Sequence, residues 1–143
     1  MRVPCDLKKN NYLHMKSKYL MLALSLLMAL SAFSQSNQSQ LKSIPTVEFK
    51  KLVDAKSVQL IDVRTAEEFA AGHIAGAVNM DVNKPDFIEN IKKLSKKKPL
   101  ALYCRSGNRS KVAASKIADL GFVIYELNSG FKDWMQAGFP TIK

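Results

Sequence analysis

Short apolar runs alternate with short amphipathic stretches along most of this chain. Residues 57–63, Ser-Val-Gln-Leu-Ile-Asp-Val, are apolar and partly β-branched and read as a strand. Residues 100–103 and 122–127 read the same way, and residues 77–80 give a shorter strand. Helical patterns separate them. Val47, Phe49, Leu52 and Val53 share one face after Pro45 and Thr46, and Phe87, Ile88, Ile91 and Leu94 share another within residues 85–94. Thr65-Ala66-Glu67-Glu68 has the form of a capping box, with a Thr N-cap and Glu at the third helical position. Residues 110–120 read as a helix stopped by Gly121, and residues 131–137 as a last short helix closed by Gly138 and Pro140. Strands alternating with short helices predict an α/β domain with a mainly parallel sheet. Sites in such sheets form at the carboxyl ends of the strands.

The first part of the chain has a different pattern. Residues 19–33 are almost wholly apolar, follow Lys16 and Lys18, and end in the small-residue stretch Ala32-Phe33-Ser34. These are the parts of a secretory signal, with a cut expected before Gln35. The run is about 15 residues, short of the roughly 20 that a spanning helix needs. An uncleaved anchor is the alternative, and Met15 offers a second start with a more ordinary leader. The expected organisation is a signal over 1–34, a flexible segment over 35–45 and one domain over 46–143, in a periplasmic or secreted location.

Export changes the charge and the cysteine count. The leader holds five of the 22 Lys+Arg and one of the 12 Asp+Glu, so the remainder carries about +6. Much of that charge is in Lys92, Lys93, Lys96, Lys97 and Lys98, which read as a solvated helix face and turn. Export and the lack of interleaved aromatic residues argue against nucleic-acid binding. A mild positive field still favours the approach of a small anion. Cys5 leaves with the leader, so Cys104 becomes the sole thiol and has no disulfide partner. His73 is then the sole histidine, too few ligands for a zinc site, and no cofactor is implied.

Cys104 ends the apolar run at residues 100–103, and Arg105-Ser106-Gly107-Asn108-Arg109 leads from it into a helix. Only a thiolate is a useful nucleophile. Three features favour that anion here: the positive end of the following helix, loop N–H groups curled around the sulfur, and the charges of Arg105 and Arg109. Gly107 lets the loop bend, and Ser110 reads as the helix N-cap. Ser106, Asn108 and Ser110 are expected to contribute mainly backbone N–H groups. Arg105 is the candidate for binding an anionic donor. Arg109 is expected to hold the loop by hydrogen-bonding the loop carbonyls, with facing the substrate as the alternative, and the whole stretch from Arg105 to Ser110 is the candidate substrate-binding loop. Asp62 is placed to brace the loop, with Arg64 and Glu68 as a structural pair beside it.

Leu60-Ile61-Asp62-Val63-Arg64, Glu68-Phe69 and Gly72-His73-Ile74-Ala75-Gly76-Ala77-Val78-Asn79 resemble the rhodanese signature. The loop from Cys104 to Ser110 resembles its active-site loop, and Leu127-Asn128-Ser129-Gly130, Trp134 and Gly138-Phe139-Pro140 resemble its closing elements. Ser129 departs from the family's glycine, which leaves the conformation of that turn open. The resemblance covers nearly all of the chain after the leader. It implies a three-layer α/β domain and a sulfurtransferase in which Cys104 is the nucleophile. Sulfur would pass from a thiosulfate-like donor through a Cys104 persulfide to cyanide or a thiol, with a protein thiol among the candidate acceptors. His73 falls in a stretch that looks like fold signature and is expected to be structural, while Phe131 and Trp134 are expected in the core. A cysteine phosphatase would need the longer C-x5-R loop, whereas Arg109 closes a C-x4-R. A redox-sensing or persulfide-carrying module without turnover is the other reading.

Overall fold

The computed structural model describes residues 40–143. The signal and residues 35–39 of the segment expected to be flexible lie outside them. In chain order the elements are β1 (Leu41–Ile44), α1 (Thr46–Asp54), β2 (Gln59–Asp62), α2 (Ala66–Ala71), β3 (Val78–Asn79), α3 (Phe87–Lys92), β4 (Leu100–Tyr103), α4 (Asn108–Lys116), a 3-10 turn (Ala118–Leu120), β5 (Ile124–Leu127) and α5 (Gly130–Gln136). The strands form one sheet of order β1-β5-β4-β2-β3, parallel throughout. The winding reverses between β2 and β4, so the carboxyl ends of these two strands flank the switch point, where α/β sheets place their sites.

The sheet separates two apolar layers. Ile61, Leu100, Leu102 and Ile124 face one side and pack with Phe87, Ile91, Ala113, Ala114, Ile117 and Phe122. Leu60, Ala101, Tyr103 and Leu127 face the other and pack with Phe49, Ile74, Phe131 and Trp134. The result is the expected three-layer α/β domain with a parallel sheet. β4 is buried along its whole length, which is why it reads as an unbroken apolar run rather than an alternation. Phe49 anchors the second layer through edge contacts with Tyr103 and Trp134, both with centroids 6.5 Å apart. Each such buried ring contributes about 1.5–3 kcal/mol through burial alone.

Leu41–Ile44 lies in the segment expected to be flexible, yet it pairs with β5 from Leu41↔Ile124 to Ile44↔Leu127. The backbone of β5 supplies the order that an exposed Leu-Lys-Ser stretch does not signal by itself. The strands start later than the sequence suggests, at Gln59 and Ile124. The helix expected over 110–120 begins at Asn108, ends at Lys116 and is followed by the separate 3-10 turn.

Candidate active site

The chain leaves β4 at Tyr103, and Cys104 follows at the sheet's carboxyl edge. Gly107, at φ 91°, caps α4 in the left-handed region. That conformation favours glycine, and a Cβ there would lie 2.2 Å from the Asn128 carbonyl oxygen. The loop is clamped from behind by the start of α5. The Phe131 N–H donates to the Cys104 carbonyl at 2.7 Å, and the Lys132 N–H donates to the Arg105 carbonyl at 3.0 Å. Gly130 allows this approach, since a Cβ there would meet Ser106 N at 2.5 Å. The neighbouring departure, Ser129, is accommodated at an ordinary φ of −101°. Its hydroxyl bonds Asp133 at 3.0 Å and lies 3.0 Å from the Thr46 hydroxyl.

The Cys104 sulfur is 1% exposed and sits on the inner side of the loop. The Gly107 N–H points at Sγ from 3.2 Å, and the Ser110 hydroxyl lies 3.6 Å away. Ser110 is not the N-cap: it sits in the first turn of α4, fully buried, with its hydroxyl 3.0 Å from the Gly107 carbonyl and 2.7 Å from Glu126 Oε1. Arg105, Ser106 and Asn108 point outward and are exposed.

The charged residues pair differently from the sequence expectation. Asp62 and Arg64, both buried, form a forked pair, with Arg64 Nη2 2.6 Å from Asp62 Oδ2 and Nε 2.9 Å from both oxygens. The Asp62 carboxylate is thus occupied by Arg64 and does not brace the loop. Arg64 also donates to the Gly72 carbonyl at 2.7 Å and stacks on the Phe131 ring at 4.2 Å. Burial pulls the guanidinium pKa down, but hydrogen bonding and charge from Asp62 outweigh it and leave the pKa raised. Burial, reinforced by the Asp62 charge, likewise pushes the Tyr103 phenol up.

Glu68 pairs with Arg109 instead of Arg64. Arg109 Nη1 and Nη2 donate to the two carboxylate oxygens at 2.6 and 2.8 Å. Arg109 therefore holds the loop through this carboxylate rather than through loop carbonyls. The same Glu68 completes the capping box on Thr65, so the first turn of α2 is tied to the first turn of α4. The Arg109 hydrogen bonds hold the Glu68 pKa down from 4.5 to about 2, against a smaller opposing effect of burial. A carboxylate with a depressed folded-state pKa adds stability above its unfolded value and loses it on protonation. The difference in melting temperature between wild type and Glu68→Gln should be full at neutral pH and close as pH falls from 4.5 toward 2. The pair is partly exposed, so the difference corresponds to about 1 kcal/mol at most. A gap that stays constant across that window in thermal melts would remove this role for the pair.

Beside the loop lies a groove of about 320 Å³, lined by Arg64, Gly72, Arg105, Phe131, Met135 and Thr141 among others. Glu68 and Ala71 complete the lining; Arg64 is paired with Asp62 and Glu68 with Arg109, which leaves Arg105 as the lining charge with no ion pair among the described residues. Among the described residues no cluster of three His, Cys, Asp or Glu is placed to hold a metal ion. His73 lies outside this arrangement. Its ring stacks on Phe69 at 3.6 Å with Nδ1 3.0 Å from the Phe69 carbonyl, and its backbone pairs with Ile142. The sequence reading passed over Glu126 and Ser43, which meet in one hydrogen bond of 2.6 Å beside Ser110. The signal for Glu126 was present: one acidic residue inside the apolar run of residues 122–127.

This combination of a parallel sheet, a cysteine at the end of its central strand and a loop closing on a helix N-terminus defines an α/β protein with a buried thiol at the floor of a strand-to-helix loop. Residues 46–137 match the Rhodanese-like domain, and the chain belongs to that family. Thiosulfate sulfurtransferase GlpE of Shewanella oneidensis is 33% identical over 100 residues, covering 69% of this chain and 97% of the relative. The GlpE protein of Pseudomonas putida is 34% identical over 105 residues, covering 72% and 92%. A rhodanese-related protein of Thermoplasma volcanium superposes with a TM-score of 0.64 at 29% identity, covering 71% of this chain and 97% of that one.

Proposed function

We propose that the protein is an exported sulfurtransferase that carries sulfane sulfur on Cys104. The observation that carries this reading is the setting of the sulfur. It is buried at the floor of a short loop, faced by the Gly107 N–H and the Ser110 hydroxyl, with a groove lined by Arg105 alongside. Relatives named thiosulfate sulfurtransferase, similar over nearly their whole length, support it. Support for export comes from the apolar leader of the sequence.

In the first half-reaction the Cys104 thiolate attacks the outer sulfur of thiosulfate. The sulfur–sulfur bond of the donor breaks, sulfite leaves with the electron pair, and a Cys104 persulfide anion remains. Arg105 on the groove wall, exposed and without an ion pair among the described residues, attracts the dianion, while Arg64 stays paired with Asp62. The Gly107 N–H faces the attacking sulfur and favours its anionic form. In the second half-reaction cyanide or a thiolate attacks the terminal sulfur, forms thiocyanate or a new persulfide, and returns the thiolate. This is ping-pong covalent catalysis. Treatment with thiosulfate should add one sulfur atom to the intact protein, and cyanide should remove it. An unchanged mass after thiosulfate would reject the reading.

A further inference from the structure

Glu126 is a buried ionisable group that this reaction does not use. It lies on β5 with no exposed surface, between Ser43 of β1 and Leu102 of β4 in sheet register. Among the described residues it forms no ion pair. Its carboxylate is held by two hydroxyls, Ser43 at 2.6 Å on Oε2 and Ser110 at 2.7 Å on Oε1. A buried carboxylate without a cation is costly unless it gains a proton or a strong set of donors. Its hydrogen-bond partners Ser43 and Ser110, its register partner Leu102 on β4 and the adjoining Gly107 of the loop are all uncharged. The nearest ionisable group along the hydrogen-bond chain is Cys104, 3.6 Å beyond the Ser110 hydroxyl. Cys104 in turn sees the charge of Arg109, which is paired with Glu68.

The Ser110 hydroxyl carries one hydrogen, and Gly107 O, Glu126 Oε1 and Cys104 Sγ all lie within its reach. With Glu126 ionised, that hydrogen goes to the carboxylate, and the serine lone pairs face the sulfur. This suits a thiol, whose S–H donates to Oγ, and opposes an anionic sulfur. With Glu126 protonated, the acid donates to Oγ and the serine hydrogen turns to the sulfur, which suits a thiolate or a persulfide anion.

We propose that Glu126 is a positioning residue that shares one proton with Cys104 through Ser110. As the thiol proton moves to Ser110 Oγ, the serine proton moves to Glu126 Oε1. The S–H bond and the original serine O–H bond break, and a new serine O–H bond and a carboxylic O–H bond form. The negative charge passes from the carboxylate to the sulfur, and nothing leaves the three residues. Such a pair titrates as a unit in two steps. The proposal deepens the sulfur-transfer reading, because the relay would hold the persulfide anion as it holds the thiolate.

The test reads the sulfur without requiring transfer. Full-length protein is alkylated with iodoacetamide across pH, and modification is followed on the Cys104 peptide by mass spectrometry. Wild type should show two rising steps. Glu126→Gln, which keeps shape and cannot take the proton, should lose the acid-side step. Ser110→Ala, which keeps the carboxylate and cuts the chain, should lose it as well. A single step in wild type, or an acid-side step retained in Glu126→Gln or in Ser110→Ala, overturns the proposal. Sulfur loading measured in parallel separates the two ideas: two-step alkylation without loading leaves the shared proton standing and removes the transferase.

Discussion

Replacing Cys104 by serine should abolish sulfur transfer while leaving the fold in place. Serine differs from cysteine by one atom, and Cys104 is one of thirteen buried residues in its apolar cluster, so the other members keep the layer intact. An alcohol at this position stays protonated at neutral pH and cannot attack sulfur as a thiolate does. Loop donors that stabilise a thiolate do not replace the missing nucleophile. Thiocyanate production from thiosulfate and cyanide should fall by several orders of magnitude, as loss of a covalent nucleophile does. The melting transition should remain cooperative. Turnover that persists in Cys104→Ser would place the reactive group elsewhere.

The second large effect is on stability. Asp62→Ala leaves the Arg64 guanidinium, 4% exposed, without its carboxylate. Breaking one partner out of a buried pair costs about 3–5 kcal/mol. That is a large fraction of the 5–15 kcal/mol by which domains are stable. Chemical denaturation should show the loss as a lower midpoint. Adding Arg64→Met should recover much of it, because the uncompensated charge is gone and a flexible apolar chain can lie on Phe131 where the guanidinium stacks. If Asp62→Ala unfolds at the wild-type midpoint, the pair is not the anchor described here.

These two residues also mark how far the sequence could be read. The central strand and its terminal cysteine were legible because β4 is buried on both faces and so has no polar alternation to confuse it. The capping box at Thr65 was legible because its two hydrogen bonds join residues close in sequence. The partners of its glutamate were not. Glu68 reaches Arg109, 41 positions away, and only the parallel crossover brings them together. Arg64 lies two residues after Asp62 in the chain, yet which carboxylate takes the guanidinium depends on the Gly72 carbonyl and the Phe131 ring that also hold it. Ser43 gave no sign of structure because an edge strand draws its order from the neighbour it pairs with. Gly130 was legible as a turn residue, but its tight approach to the loop backbone came only with the fold.

Uptake of a sulfur atom by the buried Cys104 thiol from an anionic donor is read from the mass of the Cys104 peptide after thiosulfate treatment of the full-length protein. That peptide should gain one sulfur, one sulfite should be released per chain, and cyanide should restore the starting mass. A Cys104 peptide of unchanged mass, or added sulfur found on Cys5 alone, would contradict this uptake.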